Sequence, residues 1–178
     1  NITNTVILDQ SAREVIGVNT SATTGNTVIG IGGINAATLI AMQIGCLLAN
    51  CSSNPSLATT NLIVRYITTY RGTPCTNVAN RLDATKGWYI SGLFKSSVQN
   101  VFDQNSAISY YITGVCTCQF NNMSTVNVIQ GSGNSAQDYY TGIAIGGDLP
   151  SWGFAGANAS VIIRDYQTFG YAQSNRPG

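Results

Sequence analysis

The stretch NITNTVILDQ (residues 1–10) has the pattern of an extended strand without a nearby partner. Ile2, Asn4, Val6 and Leu8 fall on one face, and most residues of the other face are polar. Alternation with period two and β-branched residues predict a β-strand. No Asn-Gly or Asp-Gly turn follows to fold it back as a hairpin. The strand therefore pairs either with a distant part of its own fold or with another molecule.

The composition limits the classes of function. The chain has 178 residues, enough for one domain with a substantial core or for two small ones. Only 8% of the residues are charged, with 8 Lys and Arg, 7 Asp and Glu, and no His. The basic residues are scattered, which argues against nucleic acid as a partner. Because few groups titrate in acid, we predict a fold that tolerates low pH.

Five cysteines are many for a cytosolic protein of this size and favour an exported protein with disulfides. A zinc site is the alternative, but the sequence has no Cys-x-x-Cys pair and no histidine. The pairing does not follow from the sequence, and one thiol is left over. The disulfide candidates are Cys46, Cys51, Cys75, Cys116 and Cys118.

Asn-x-Ser/Thr acceptors add to the case for an extracellular, cell-surface protein that carries N-linked glycans. The chain starts without Met and without an apolar leader, as expected after removal of a signal peptide or for an excised segment. We predict no other cofactor. The acceptors are Asn1, Asn19, Asn50, Asn122 and Asn158.

Residues 28–49 carry no charge and are long enough to span a bilayer. Asn35, Gln43 and the lack of flanking basic residues argue against a membrane span. We predict instead a buried strand (27–34) followed by a buried helix (36–49), since Ala, Leu and Met favour a helix.

The rest of the chain is a series of short strand-like runs separated by turn-rich segments. With about nine such strands, we predict an all-β fold, a β-sandwich of Ig-like or jelly-roll type with at most one or two short helices. The clearest runs are 59–70, 88–94 with a bulge at Gly92, 106–120, 124–130, 139–147 and 159–171.

Residue types needed for catalysis are scarce. The absence of His excludes Ser-His-Asp and Cys-His chemistry, and Glu14 is the single Glu, which leaves no evident pair of carboxylates for glycoside hydrolysis. We therefore predict that the protein is not an enzyme, with no catalytic residue and no metal site. Trp88, Trp152 and the tyrosines could form a sugar-stacking platform, although such residues in strands more often pack in the core.

The two lysines raise one covalent possibility. A lysine beside an Asn or Asp in a dry site, with a carboxyl group nearby, can form an isopeptide bond. Lys86 and Lys95 are the only possible donors, and a solvated lysine is the simpler interpretation.

The opening strand suggests a route to assembly. A sandwich that lacks one strand exposes an unpaired edge. If residues 1–12 act as a donor strand that fills the groove of a neighbouring sandwich formed by residues 13–178, the contact is heterologous and generates a filament. Val6 and Leu8 would then fill pockets in the neighbour, together with Ile2 and Asn4 on the same face.

In the opening NITNTVILDQ, the sequons and the β-rich body, the whole chain resembles archaeal extracellular filament subunits, the thread-like or bundling pili assembled by donor-strand complementation. The resemblance implies identical subunits as partners, a glycan coat, and a role in adhesion or biofilm cohesion. It does not extend to archaeal type IV pilins, which begin with a long apolar helix. The alternatives are a secreted monomeric carbohydrate-binding or adhesive β-sandwich and a viral jelly-roll coat protein.

Overall fold

Every element in the described part of the chain is a β-strand. In the computed structural model the described residues are 5–8, 14–16, 27–31, 40–45, 58–71, 85–128, 141–146, 148–149, 154–155 and 159–171. In chain order the strands are β1 Val6–Leu8, β2 Glu14–Ile16, β3 Thr27–Ile31, β4 Ile40–Gly45, β5 Thr59–Thr60, β6 Ile63–Arg65, β7 Ile67–Arg71, β8 Lys86–Ser91, β9 Leu93–Phe94, β10 Ser97–Gln104, β11 Ile108–Thr113, β12 Cys116–Val128, β13 Thr141–Ile145, β14 Asp148–Leu149, β15 Phe154–Ala155, β16 Ala159–Arg164 and β17 Gln167–Tyr171.

Two large sheets are parallel throughout. Sheet A has the order β1-β4-β8-β11-β13. Sheet B holds β2, β3, β5, β6, β7, β9, β10, β12, β16 and β17, also paired only in parallel. The short β14–β15 pair is antiparallel.

The chain passes from sheet A into sheet B and returns to sheet A one strand further along. After β1 it forms β2 and β3, returns as β4 beside β1, and repeats this path up to β13. Such successive coils define a parallel β-helix. The predicted β-sandwich is therefore wrong in both its Ig-like and its jelly-roll form, since those folds are antiparallel. Alternation along a strand predicts which side chains are buried, but not the direction of the strand's neighbour.

The predicted helix 36–49 is also wrong where the structure describes it, because residues 40–45 form the strand β4. Ile40 and Ile44 recur at helical spacing, but two residues four apart also share one face of a strand. Met42 lies between them on that face, so the segment is equally regular as a strand. No helix in the described ranges has the length and hydropathy needed to cross a bilayer.

Equivalent positions of successive coils stack in register. In sheet A, Leu8, Ile44, Ile90, Ile112 and Ile145 are direct neighbours from strand to strand and form an aliphatic ladder. The three isoleucines in the middle are completely buried, whereas Ile145 on β13 is 52% exposed. Each coil therefore buries the apolar side chains of the one before it, and the last strand of the sheet leaves its isoleucine half-covered.

Aromatic side chains join the two sheets across the core. The rings of Trp88 and Tyr110 stack with centroids 6.2 Å apart. The Tyr110 hydroxyl donates to the carbonyl oxygens of Val101, at 3.0 Å, and Ser124, at 2.7 Å, both in sheet B. The buried phenol is thus hydrogen-bonded, and sheet A is fixed against two neighbouring strands of sheet B.

In four of the coils, sheet B bends twice at residues with left-handed backbone conformation. The first row of bends is Asn61, Lys95, Thr117 and Ser160, with φ of 57°, 48°, 54° and 53°. The second row is Tyr66, Asn100, Asn122 and Asp165, with φ of 60°, 52°, 49° and 55°. The strand registers on either side place the members of each row next to one another.

We expect the aliphatic ladder to supply a large part of the stability. Ile90→Ala should lower the free energy of unfolding by about 2–5 kcal/mol, because it opens a cavity between two fully packed coils. Ile145→Ala is the matched control in the same ladder and should cost less than about 1 kcal/mol, since half of its surface is already exposed. Urea denaturation measures both. Equal losses for the two variants would contradict a ladder with one open end.

Candidate functional site

The outer side of sheet B between the two rows of bends carries an ordered polar surface, which we call the ladder face. Its residues form two columns that run across the coils. The columns are Ile63, Ser97, Gln119 and Ile162, and Arg65, Gln99, Asn121 and Arg164. All eight side chains are exposed or half-exposed.

Strand alternation explains why these side chains point outward. Leu62, Val64, Val98 and Phe120 have no exposed surface and belong to the core. The residues between them are turned to the opposite side of the sheet. Because neighbouring strands lie about 4.8 Å apart, the amides of Gln99 and Asn121 stand side by side at that spacing.

A surface depression of about 410 Å³ lies where the ladder face meets the first row of bends. Its lining includes Asn61, Ile63, Lys95, Gln99 and Gln119, with serine and threonine hydroxyls between them. Amide groups both donate and accept hydrogen bonds, so the depression offers both functions to a ligand.

Few charged residues lie near the depression, and they differ in whether they form an ion pair. Arg65 is paired with Glu14 on β2, with 2.5 Å between Nη2 and Oε1. Lys95 is exposed and makes no ion pair within the described residues, and its ammonium lies 5.5 Å from the centroid of the Phe94 ring. Among the described residues that line the depression, Lys95 is the charged one and none is a carboxylate, so the depression is positively charged.

Tyr66 is an unusual residue for its position. Asn and Asp adopt left-handed backbone conformation readily, and they occupy the other three positions of the second row. The left-handed conformation costs a tyrosine of order 1 kcal/mol of folding stability. Burial of the side chain does not offset this cost in full, because Tyr66 is 39% exposed. Its ring therefore contributes a partly apolar surface at the edge of the ladder face without being needed in the core.

Asn122, the one predicted glycosylation acceptor that the structure describes, lies in the same row. Its side chain is exposed, and Nδ2 donates to Oδ1 of Asn100 at 2.6 Å. A glycan on that nitrogen would leave one N–H to donate and would stand beside the ladder face. The other four acceptors, Asn1, Asn19, Asn50 and Asn158, lie outside the described residues.

A buried acid lies inside the coils, away from the ladder face. Oδ1 of Asp103 accepts hydrogen bonds from the hydroxyls of Thr69, at 2.7 Å, and Ser106, at 2.9 Å. Gly87 packs directly on this carboxyl group, and a Cβ at that position would overlap Oδ1. The second oxygen, Oδ2, has no hydrogen-bond partner among the described residues. No sequence signal singled out Asp103, which stands at an inward position of an alternating strand.

The surroundings of Asp103 disfavour its charged form. Burial raises the pKa of Asp103 to about 6, against the opposing effect of the hydroxyl donors and of the Arg71 charge. Arg71 itself is held by Ser106, at 3.1 Å from Nε, and by the backbone oxygen of Lys86, at 2.9 Å from Nη2. Because Asp103 has no exposed surface, it acts on the stability of the fold and cannot meet a soluble ligand.

The two predicted isopeptide donors have opposite surroundings. Lys86 is completely buried next to Gly87, whereas Lys95 is exposed. Of the two, Lys86 has the dry surroundings that such a bond requires. The isopeptide bond stays a prediction.

The described cysteines are free thiols. Cys118 is buried, its Sγ donates to the backbone oxygen of Leu93 at 3.4 Å, and burial raises the pKa of its thiol. Thr117 bends the strand between Cys116 and Cys118, which breaks the simple alternation expected for them. Cys46, Cys51 and Cys75 lie outside the described residues, so the predicted disulfides stay a prediction.

The predicted donor strand is described from Thr5 to Leu8, and this part pairs within its own chain. β1 runs parallel to β4, with Val6 opposite Met42 and Leu8 opposite Ile44. Val6 and Leu8 pack against the core, and Thr5 Oγ1 donates to the backbone oxygen of Ile40 at 2.7 Å. Ile2 and Asn4 lie outside the described residues.

Other candidates from the sequence do not meet at this site. Trp88 is completely buried and so offers no surface to a sugar, and Trp152 lies outside the described residues. Within the described ranges no group of three His, Cys, Asp or Glu residues comes together to hold a metal ion. The ladder face was missed because its columns depend on strand register, although polar residues alternate visibly in 97–104 and 117–122.

The buried carboxyl group predicts a pH-dependent stability. The folded-state pKa of Asp103, about 6, lies above the ordinary value of 3.8 for an aspartate, so the folded state holds the proton more tightly than the unfolded state. Stability should therefore rise as pH falls from 7 to 4, by about 3 kcal/mol at most. Urea denaturation at several pH values measures this, and Asp103→Asn should remove the slope.

Asp165→Asn is the control for this experiment, because Asp165 is exposed and its substitution should leave the slope intact. If the free energy of unfolding of the wild type stays constant or falls as the pH is lowered from 7 to 4, the assignment of a raised pKa to Asp103 is wrong.

Comparison with known proteins gives no family and no related structure for this chain. No protein-family model, no curated protein and no solved structure matches the chain. What the protein does must therefore be inferred from the ladder face, the buried core and the exposed strand edges.

Proposed function

We propose that the ladder face binds an extended carbohydrate chain and that the protein is a non-enzymatic adhesive module of the cell exterior. The observation that carries the proposal is a cluster of three exposed or half-exposed amides on two adjacent coils. Gln99 and Asn121 are direct neighbours in this cluster, and Gln119 precedes Asn121 by two residues on the same face. The spacing of about 4.8 Å is close to the length of one pyranose ring.

The chemistry of the face suits hydroxyl groups. Each amide has two N–H donors and a carbonyl acceptor, groups that can bracket vicinal sugar hydroxyls. In Gln99 one of the two N–H groups is already used, because Nε2 donates to Ser97 Oγ at 3.2 Å. The exposed ring of Tyr66 at the border of the face supplies an apolar surface on which a sugar ring can stack. Isolated polar groups arranged on a rigid sheet keep their geometry without a ligand, so little conformational entropy is lost on binding.

The extracellular assignment is part of this proposal. The low charge, the five sequons and the exposed position of Asn122 support it. The absence of a catalytic role is proposed on the composition, which has no His and a single Glu. Asp103, whose pKa is raised by burial, is inaccessible to a soluble substrate.

Substitution of Tyr66 tests the proposal, because it should change fold stability and carbohydrate binding in opposite directions. Tyr66→Asn should raise the free energy of unfolding by roughly 1 kcal/mol, because Asn tolerates the left-handed backbone. The same substitution should weaken binding to a neutral soluble polysaccharide by about 5-fold to 100-fold, since a stacking ring contributes of order 1–3 kcal/mol. Affinity electrophoresis against hydroxyethylcellulose, xylan, galactomannan and dextran measures the binding.

Tyr70→Asn is the matched control, because Tyr70 is also exposed, at 36%, but lies on β7 beyond the row of bends. It should leave binding unchanged. A wild-type protein that is retarded by none of these polysaccharides, or a Tyr66→Asn variant that binds as well as the wild type, would count against the proposal.

A second candidate function is a subunit of an extracellular filament, now assembled through sheet edges. Within the described residues, β1 and β13 each have a neighbour on only one side. Ile7 on β1 is 49% exposed and Ile145 on β13 is 52% exposed, which leaves apolar surface at both edges. Because all strands of sheet A are parallel, β13 of one copy can pair with β1 of the next in the same direction. Such a heterologous contact does not close and generates a filament.

This assembly predicts that a charge at the open edge prevents polymerisation. Ile145→Lys should leave the protein monomeric in light scattering and free of filaments in electron microscopy. Ile162→Lys is the control, because Ile162 is 41% exposed on the ladder face rather than at the edge of sheet A. Filaments formed equally well by both variants, or by neither variant nor the wild type, would exclude this mode of assembly.

A further inference from the structure

We infer that the depression beside the first row of bends selects sugars that carry an anionic group, which Lys95 pairs with. This inference rests on the proposed function, since it names the chemical class of carbohydrate that the ladder face would take. The observation that carries it is an unpaired cation in a depression whose other described lining residues are uncharged and rich in amides.

The backbone around Lys95 is held firmly. Its N–H donates to the backbone oxygen of Cys116 at 3.0 Å. The following hydroxyl, Ser96 Oγ, donates to the backbone oxygen of Phe94 at 2.8 Å and accepts from the N–H of Leu62 at 3.0 Å. The bend is thus fixed to the strands on both sides, so the lysine side chain leaves the sheet at a defined point.

The side chain is placed over an aromatic ring. The ammonium of Lys95 lies 5.5 Å from the centroid of the Phe94 ring, a distance at which the two attract each other. This contact limits the freedom of the side chain and leaves the charge in place. An oriented ammonium loses less entropy when it pairs with an anion than a freely rotating one does.

No acidic side chain near Lys95 neutralises it. It is the only charged residue that lines the depression, and it makes no ion pair within the described residues. Arg65, on the ladder face nearby, is paired with Glu14. Arg164 is also exposed on the ladder face but is not among the residues that line the depression. In the depression itself, Lys95 is therefore the cation presented to a ligand.

The donors around Lys95 suit an oxyanion. Asn61, Gln99 and Gln119 line the same depression and each carries an amide N–H₂ group. An ammonium together with amide donors binds a carboxylate or a sulfate ester through charge-assisted hydrogen bonds. Both groups occur on acidic polysaccharides, and their shared chemistry is an oxyanion on a sugar ring.

The identity of residue 95 supports a role for the charge. The first row of bends requires left-handed backbone, and Asn61 meets that requirement one coil earlier. A lysine is less suited to this conformation than an asparagine. Thr117 and Ser160 depart from the preferred asparagine in the same row, and Lys95 is the member of the row that carries a charge.

The experiment uses three derivatives of one extended backbone: hydroxyethylcellulose, which is neutral, carboxymethylcellulose and cellulose sulfate. The full chain should bind at least one anionic derivative about five times more tightly than the neutral one at low salt, as expected for an exposed ion pair. The preference should shrink in 0.5 M NaCl as the charges are screened. Affinity electrophoresis or biolayer interferometry measures the affinities.

Lys95→Asn removes the charge and keeps a residue suited to the bend, so it should fold and lose the preference while binding the neutral polymer as before. Lys95→Arg should keep the preference. The derivative that shows the preference distinguishes a carboxylate from a sulfate ligand.

Two outcomes would overturn the inference. If the wild type binds all three polymers equally, or if Lys95→Asn retains the preference, anion selection at Lys95 is wrong and carbohydrate binding by the ladder face still stands. If the wild type binds none of the three polymers and none of the neutral panel, both proposals are wrong. Urea denaturation of Lys95→Asn checks that any loss of binding is not a loss of fold.

Discussion

The structure depends on the in-register stacking of equivalent positions in successive parallel coils. Each strand of sheet A satisfies the backbone groups of the next, and each isoleucine of the aliphatic ladder covers the one beside it. No coil can bury its apolar side chains alone, because a single turn of chain encloses no core. Tyr110 adds a cross-connection by bonding to two strands of sheet B. Register is therefore the constraint from which the remaining features follow.

The same register that builds the core also orders the surface. Because inward residues stack, the residues between them stack on the outer side, and amides such as Gln99 and Asn121 become neighbours. The bends repeat in register as well, which imposes left-handed backbone on positions that hold Tyr66 and Lys95. Side chains that fit this conformation poorly stand next to the polar columns, and this coincidence is why we place function there.

The core contains one group that works against the fold at neutral pH. Asp103 is enclosed with hydroxyl donors on one oxygen only, and burial favours its protonated form. The hydroxyl donors and the Arg71 charge do not fully offset the cost of burying the charged carboxylate, so protonation of Asp103 in acid removes that cost. This agrees with the sparse titratable composition in predicting a fold that tolerates low pH. The exposed edges of β1 and β13 are a separate property, which offers assembly without involving the ladder face.

Apart from residues 40–45, the sequence by itself determined most of the regions that form strands, because the alternation of apolar residues and the breaks at glycine or asparagine are local signals. Residues 59–70 and 159–171 are strands with internal bends, and the chain does turn at Gly92. Only the tertiary structure decided that the strands run parallel, that 40–45 is a strand, and that β1 pairs with β4. Direction and partner depend on contacts between residues far apart in the chain, which periodicity does not encode. The ladder face and the Asp103 site arise from the same distant contacts, so neither could be assembled from local patterns.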